Sequence, residues 1–165
     1  LAVNSALTGH LVFSTLHTNN AVGFRDRILD LQTPPFLIAS TVNLVISQRL
    51  VRLVCKKCAQ SYKVPAEILE AVEKMSGKSL SGKKFFKGSG CDECGQLGFK
   101  GRLGIFEVLE LTPELKALIV AGRPEVELEK LARKEGFVSM VEDGVEKAQA
   151  GVTTLEEVLR VAGKA

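Results

Sequence analysis

Cys55, Cys58, Cys91 and Cys94 are the four cysteines of the chain, and they fall into two CxxC pairs with 32 residues between them. A CxxC turn brings two sulfurs to one side, and two such turns facing each other complete a tetrahedral S4 cage suited to Zn2+. A cage closed by four thiolates leaves no position for water, so the expected metal is structural and not catalytic. Two other chemistries use the same residues: a pair of disulfides, or a redox CxxC of the thioredoxin kind. A redox motif needs one pair and a βαβ setting, and nothing else in the chain points to secretion, so zinc is the favoured reading. Lys56 and Lys57, inside the first knuckle, are expected to favour thiolate and to offset its charge.

The second chemical signature is TGHLVFSTLHTNNA, residues 8–21, which holds both histidines of the chain. LVFSTL, residues 11–16, predicts a short buried strand that ends in the polar loop His17-Thr18-Asn19-Asn20. Such an end presents a hydroxyl, an imidazole and amides at the carboxyl edge of a sheet, where open α/β sheets bind ligands. These groups suit phosphate oxygens. His17 could bond a phosphate or stabilise charge developing in phosphoryl transfer, whereas His10 lies before the strand, at its other end. The plainer role, a capping or core-edge histidine, stands beside this one for both residues.

The elements around these residues mix helix and strand. Residues 21–31 predict a helix with Val22, Ile28 and Leu29 on one face and Asn20 as N-cap, stopped by Pro34 and Pro35. A largely apolar helix is expected over 36–45 and a strand over 49–54, leading into the first knuckle. Between the knuckles, Pro65 opens a helix whose stripe is Ile68, Leu69, Val72 and Met75. The Ser, Gly and Lys of 76–90 predict an exposed loop, and 102–111 a strand. Beyond it, Thr112-Pro113, Pro124, Ser139 with Glu142 and Thr153 with Glu156 announce four helix starts, and Gly136 a helix stop. Their apolar faces (Leu115, Leu118, Ile119; Leu128, Leu131; Val158, Leu159) must pack on each other and on the core.

With 45% apolar and 25% charged residues in 165, the composition excludes a disordered chain, and no apolar run is long enough to span a bilayer. The net charge of +3 hides an uneven distribution: residues 49–102 carry 12 basic against 5 acidic residues, and 103–165 carry 8 against 12. A basic zinc module invites a nucleic-acid role. That segment has only Tyr62, Phe85, Phe86 and Phe99 as aromatics, without the interleaving of a stacking platform, so nucleic acid is disfavoured.

TGHLVFSTLHTNNA resembles the histidine box of the type II secretion and type IV pilus assembly ATPases. PFLIASTVNLVISQRLVRLVCKKC and CDECGQLGFKGRLGIFEVLEL resemble two further segments of that family, in the same order, so the resemblance covers nearly the whole chain. Asn20 stands where the family more often has Asp, and Leu103 where it more often has Thr. The resemblance implies an α/β fold: the C-terminal part of a RecA-like nucleotide-binding domain, with an inserted tetracysteine zinc subdomain and a C-terminal helical bundle. In these terms 1–54 belongs to the RecA-like core, 55–101 is the zinc subdomain, 102–111 a strand returning to the core and 112–165 the helical part. It implies that His17 senses the terminal phosphate of ATP, that Thr15 and His10 support the box, and that Arg49 lies near the nucleotide; the plainer alternative for Arg49 is an ordinary strand-flanking ion pair. For the intact protein it implies an ATP- and Mg2+-dependent homohexamer, cytoplasmic and peripheral to the bacterial inner membrane. That motor would drive pilin or pseudopilin assembly through an inner-membrane platform protein and associated assembly components.

The 165 residues contain no GxxxxGK[ST] phosphate loop and no Walker B segment, and LAVNSALTGH resembles the stretch just after Walker B. The chain is therefore expected to start within a domain and not to hydrolyse ATP alone. Two further classes compete with this reading, a zinc-stabilised interaction module and a nucleic-acid-binding module.

Overall fold

The computed structural model describes residues 1–163. In chain order the elements are α1 (Ala2–Leu7), α2 (Phe24–Asp30), α3 (Pro35–Thr41), β1 (Leu44–Val54), β2 (Ala59–Tyr62), α4 (Ala66–Ser76) and β3 (Phe85–Gly88). A 3-10 turn at Asp92–Cys94 precedes β4 (Phe99–Glu110), and α5 (Pro113–Val120), α6 (Glu125–Lys134), α7 (Met140–Gln149) and α8 (Leu155–Ala162) follow. The chain is thus mixed α/β. β1 pairs with β4, and β2 with β3 in antiparallel register, Ala59 opposite Gly88 and Tyr62 opposite Phe85. Among the described residues no helix is long and apolar enough to cross a membrane.

These elements pack into two compact units. The first comprises Leu1–Ser47 and Glu107–Val138, and its core joins Ala21, Val22, Phe24, Ile28 and Ile38 to Leu109, Leu115, Ile119 and Leu128. The second comprises Gln48–Phe106 and residues 139–163. Its core joins Val51 and Ile105 of the paired strands to Val64, Val72, Leu80 and Phe85, and these to Met140, Val145, Leu155 and Val158 of the last two helices. Of the four C-terminal helices, α5 and α6 belong to the first unit, α7 and α8 to the second.

Local chemistry explains most boundaries. Thr112 Oγ1 accepts from Leu115 N at 3.3 Å, with Pro113 at the first helical position of α5. Ser139 and Glu142 form the expected reciprocal capping box of α7. Helix α4 ends on Gly77 at φ +66°, the left-handed cap that glycine adopts without strain.

Several expectations are corrected. Residues 11–16 form no strand; Leu11 is 84% and Phe13 88% exposed. A strand exists by pairing, and among the described residues none pairs with this segment. The helix expected over 21–31 starts at Phe24, although Asn20 Oδ1 does accept from Gly23 N at 2.7 Å and so closes the turn that leads into it. The helix expected over 36–45 starts at Pro35 and ends at Thr41, because Leu44 already belongs to β1. Met75, expected on the buried stripe of α4, is 37% exposed. Only half of 76–90 is an exposed loop: Leu80 and Phe85 are buried and β3 begins at Phe85. The N-cap of α8 is Thr154, accepting from Glu157 N, while the neighbouring Thr153 donates to Arg52 O at 2.8 Å.

Candidate functional site

The four cysteines converge because backbone hydrogen bonds fold each pair and tie the two together. In the first knuckle Cys58 N donates to Cys55 O at 3.2 Å, and in the second Cys94 N donates to Cys91 O at 3.2 Å. Across the knuckles, Cys55 N donates to Gly98 O at 2.9 Å and Ser89 N to Cys58 O at 3.0 Å. The strands β2 and β3 hold the intervening chain in the same arrangement. All four ligand atoms lie within 4.8 Å of one another, and all four cysteines are free thiols.

The spacing tests the metal directly. Cys55 Sγ lies 3.8 Å from Cys91 Sγ, Cys58 Sγ 3.9 Å from Cys94 Sγ, and Cys91 Sγ 3.7 Å from Cys94 Sγ. A tetrahedron with Zn–S bonds of about 2.3 Å has sulfur–sulfur edges of about 3.8 Å. A disulfide would need about 2.05 Å. The donor set and its dimensions fit Zn2+, and neither CxxC forms a disulfide.

Backbone N–H groups prepare the sulfurs to be ligands. Burial pushes the Cys94 thiol up, but N–H donation from Cys91 at 3.3 Å and from Gly98 at 3.2 Å, with the adjacent thiols, brings it down to about 7. Cys58 is pushed up to about 11, first by burial and then by its sulfur neighbours. Among the basic residues, Lys57 is committed to Glu93 at 3.5 Å, and Lys100 pairs with the same carboxylate. Lys100 also feels the charges of Cys55 and Cys91, so a cation that sequence reading overlooked shares the role expected of Lys56 and Lys57. Its own pKa is raised, mainly by Glu93.

Two glycines make the knuckle possible. A side-chain carbon on Gly88 would sit 2.0 Å from Gly98 O, and Gly98 itself has φ +74°. Gly98 supplies the N–H to Cys94 and the carbonyl to Cys55. Gly98→Ala is expected to weaken zinc binding about tenfold or more, as losses of outer-shell partners do. Competition with a chromophoric chelator measures it, and unchanged affinity would contradict this role.

The histidine segment looks different. His10, Thr15 and His17 are exposed, and His10 Nδ1 lies 3.0 Å from Thr8 Oγ1. Arg49 is half-buried, donates from Nη1 to Gln48 O at 3.3 Å, and belongs to the second unit, whereas the histidines belong to the first. Among the described residues the cysteines are the only group of three or more ligating side chains that converge.

Sequence reading also missed two buried carboxylates. Glu107, 7% exposed, accepts from Ala21 N at 2.7 Å. Glu157, 2% exposed, accepts from Arg52 N at 2.9 Å, from the Arg52 guanidinium at 2.7 Å and from two nitrogens of Arg160 at 2.8 and 2.7 Å. The partners of Glu107 and Arg52 lie 86 and 105 positions away in the chain, beyond the reach of local pattern.

The model of the family described as Type II/IV secretion system protein matches residues 1–160. The chain belongs to this family. Its relatives include a type IV pilus assembly ATPase, PilB, of Thermus thermophilus, 43% identical over 159 residues that make up 96% of this chain and 18% of that protein. PilB of Pseudomonas aeruginosa is 42% identical over 161 residues, 98% of this chain and 28% of the relative. The type II secretion system protein E of P. aeruginosa is 42% identical over 163 residues, 98% of this chain and 31% of the relative. This member of the type II/IV secretion family thus spans less than a third of the length of these relatives. Pilus and secretion proteins both match it at close to 40% identity.

Proposed function

We propose that these residues are the C-terminal part of an ATP-hydrolysing motor that powers pilin or pseudopilin assembly. The observation that carries the proposal is the match over residues 1–160, with ATPases for pilus assembly and secretion near 40% identity along nearly the whole chain. In this reading, residues 1–54 complete a RecA-like nucleotide-binding domain, and the intact protein is a homohexamer. It acts from the cytoplasmic side of the inner membrane on a platform protein. Exposure of Leu11 and Phe13 in the unpaired segment 11–16 supports it, since exposed apolar side chains in a segment without a strand partner call for neighbouring structure.

His17 is the group proposed to meet the terminal phosphate. An exposed imidazole that ends an apolar segment can donate to a phosphoryl oxygen and stabilise the charge that builds there during transfer. Thr15 and His10 support the loop, and Arg49 is assigned to the nucleotide's surroundings. ATP with Mg2+ supplies the transferable phosphoryl group when bound. Zinc binds Cys55, Cys58, Cys91 and Cys94 as a closed structural centre, and does no chemistry.

In the intact protein, His17→Ala should lower kcat for ATP hydrolysis about a hundredfold, the scale of losing one transition-state donor. The isolated 165 residues should show no turnover above a buffer blank. Wild-type kcat in the variant, or sustained turnover by the isolated chain, would sink the assignment.

A further inference from the structure

We infer that Glu107 is a positioning residue that anchors the histidine loop through the backbone of Ala21, an inference that rests on the proposed phosphate role of His17. The chain changes character abruptly in this stretch. His17 is exposed, and four residues later Ala21 is 0% exposed, followed by Val22 at 4% and Phe24 at 1%. Glu107 Oε2 accepts from Ala21 N at 2.7 Å at that boundary.

Position 107 makes the carboxylate informative. Along β4, residues 105, 107 and 109 are buried while 106, 108 and 110 are exposed, so Glu107 occupies an inward slot between Ile105 and Leu109. An apolar residue would fill such a slot without desolvating a carboxylate. What the carboxylate provides is an acceptor for an N–H that lies ahead of α2 and is sealed from water. Asn20 completes the grip: its Oδ1 accepts from Gly23 N at 2.7 Å, and its Nδ2 donates to Glu125 Oε1 of α6 at 3.4 Å.

An anchor at Ala21 limits where the imidazole can go. Four residues of extended chain reach at most about 14 Å, so the fixed point keeps His17 within that distance of Ala21. The side chain stays free to meet a ligand while its backbone root is held. Release of the anchor should cost the step in which His17 acts and leave ground-state nucleotide affinity nearly intact.

The test uses the intact protein and four variants: Glu107→Ala, Glu107→Gln, His17→Ala and the Glu107→Ala/His17→Ala double. Hydrogen exchange at residues 17–23 is read beside kcat and KM for ATP. Glu107→Ala should accelerate exchange at Ala21 and lower kcat about tenfold or more with KM little changed. Glu107→Gln keeps a carbonyl acceptor and should recover most of both. In the His17→Ala background, Glu107→Ala should lower kcat no further. Independent, multiplying losses would overturn the inference, as would unchanged exchange at Ala21 in Glu107→Ala. Wild-type kcat in His17→Ala would instead overturn the phosphate role, with the exchange data still reporting on the anchor. If Glu107→Ala fails to fold, Glu107→Asp carries the same test: it keeps the charge but withdraws it by one methylene, and wild-type exchange and kcat in it would overturn the inference.

Discussion

Replacing Cys94 with serine should abolish stoichiometric zinc binding and unfold the second unit, while the first keeps its protection from hydrogen exchange. Cys94 is the cysteine with the heaviest commitment. It is buried, its sulfur accepts two backbone N–H groups, and it lies 3.7 and 3.9 Å from two other sulfurs. Structural zinc in small domains is worth about 10–16 kcal/mol, as much as the whole stability of an ordinary domain. The damage should not stop at the knuckles. Val64, Val72, Leu80 and Phe85, all from the stretch between the two CxxC pairs, share one core with Met140, Leu155 and Val158. Helices α7 and α8 should therefore lose protection together with β2 and β3. Metal analysis and segment-resolved exchange would decide it; full zinc content, or undisturbed protection in α7 and α8, would contradict the prediction.

Glu157→Gln should cost about 3 kcal/mol at pH 7, because removal of one partner strands the rest of a buried ionic cluster. Arg52 and Arg160 are each about half exposed, which places the cost at the lower end for such pairs. The loss is more than electrostatic, since Glu157 also holds Arg52 N, and the Arg52 guanidinium lies 4.2 Å from the centre of the Phe99 ring. pH gives an independent signature. Burial alone would raise the Glu157 carboxyl, but the bonds from Arg160 and Arg52 outweigh it and hold the group at about 2. A carboxyl whose folded value lies below its unfolded value, about 4.3, contributes full stability above that value and loses it as pH falls toward 2. Thermal melts from pH 7 to 2.5 should show wild type and Glu157→Gln far apart at neutrality and converging in acid. A constant gap across that range would refute the assignment.

What sequence could show was what neighbours in sequence decide. The CxxC spacing, the Thr112-Pro113 start and the Ser139/Glu142 box each involve residues a few positions apart, and each is realised. The segment 11–16 misled because its apolar, branched composition describes a strand, whereas forming one takes a partner. Residues 76–90 misled in the opposite sense: two buried anchors, Leu80 and Phe85, sit among glycines, serines and lysines that dominate any local average. Thr153 and Thr154 both carry hydroxyls, so only the backbone shows which caps α8 and which reaches Arg52. For the functional residues, the convergence of the four cysteines was readable in full. His17 stood out from the loop after the expected strand, Thr15 and Arg49 rested on resemblance, and the buried carboxylates Glu107 and Glu157 were invisible, because their meaning lies in partners contributed by distant stretches of chain.

Each unit is assembled from two separate stretches of polypeptide, and this has a consequence for biosynthesis. The core that begins with Ala21 waits for Ala132, and the core that begins with Val51 waits for Ala162. A ribosome elongating at roughly 5–20 residues per second exposes Cys55 and Cys58 about 2–7 seconds before it can deliver Cys91. For that interval the nascent chain carries half a thiolate cage, open to loose metal capture or to a chaperone, and its β4 strand is still unmade. Neither core can close until its later stretch has been synthesised, and the thiol cage cannot close before Cys94.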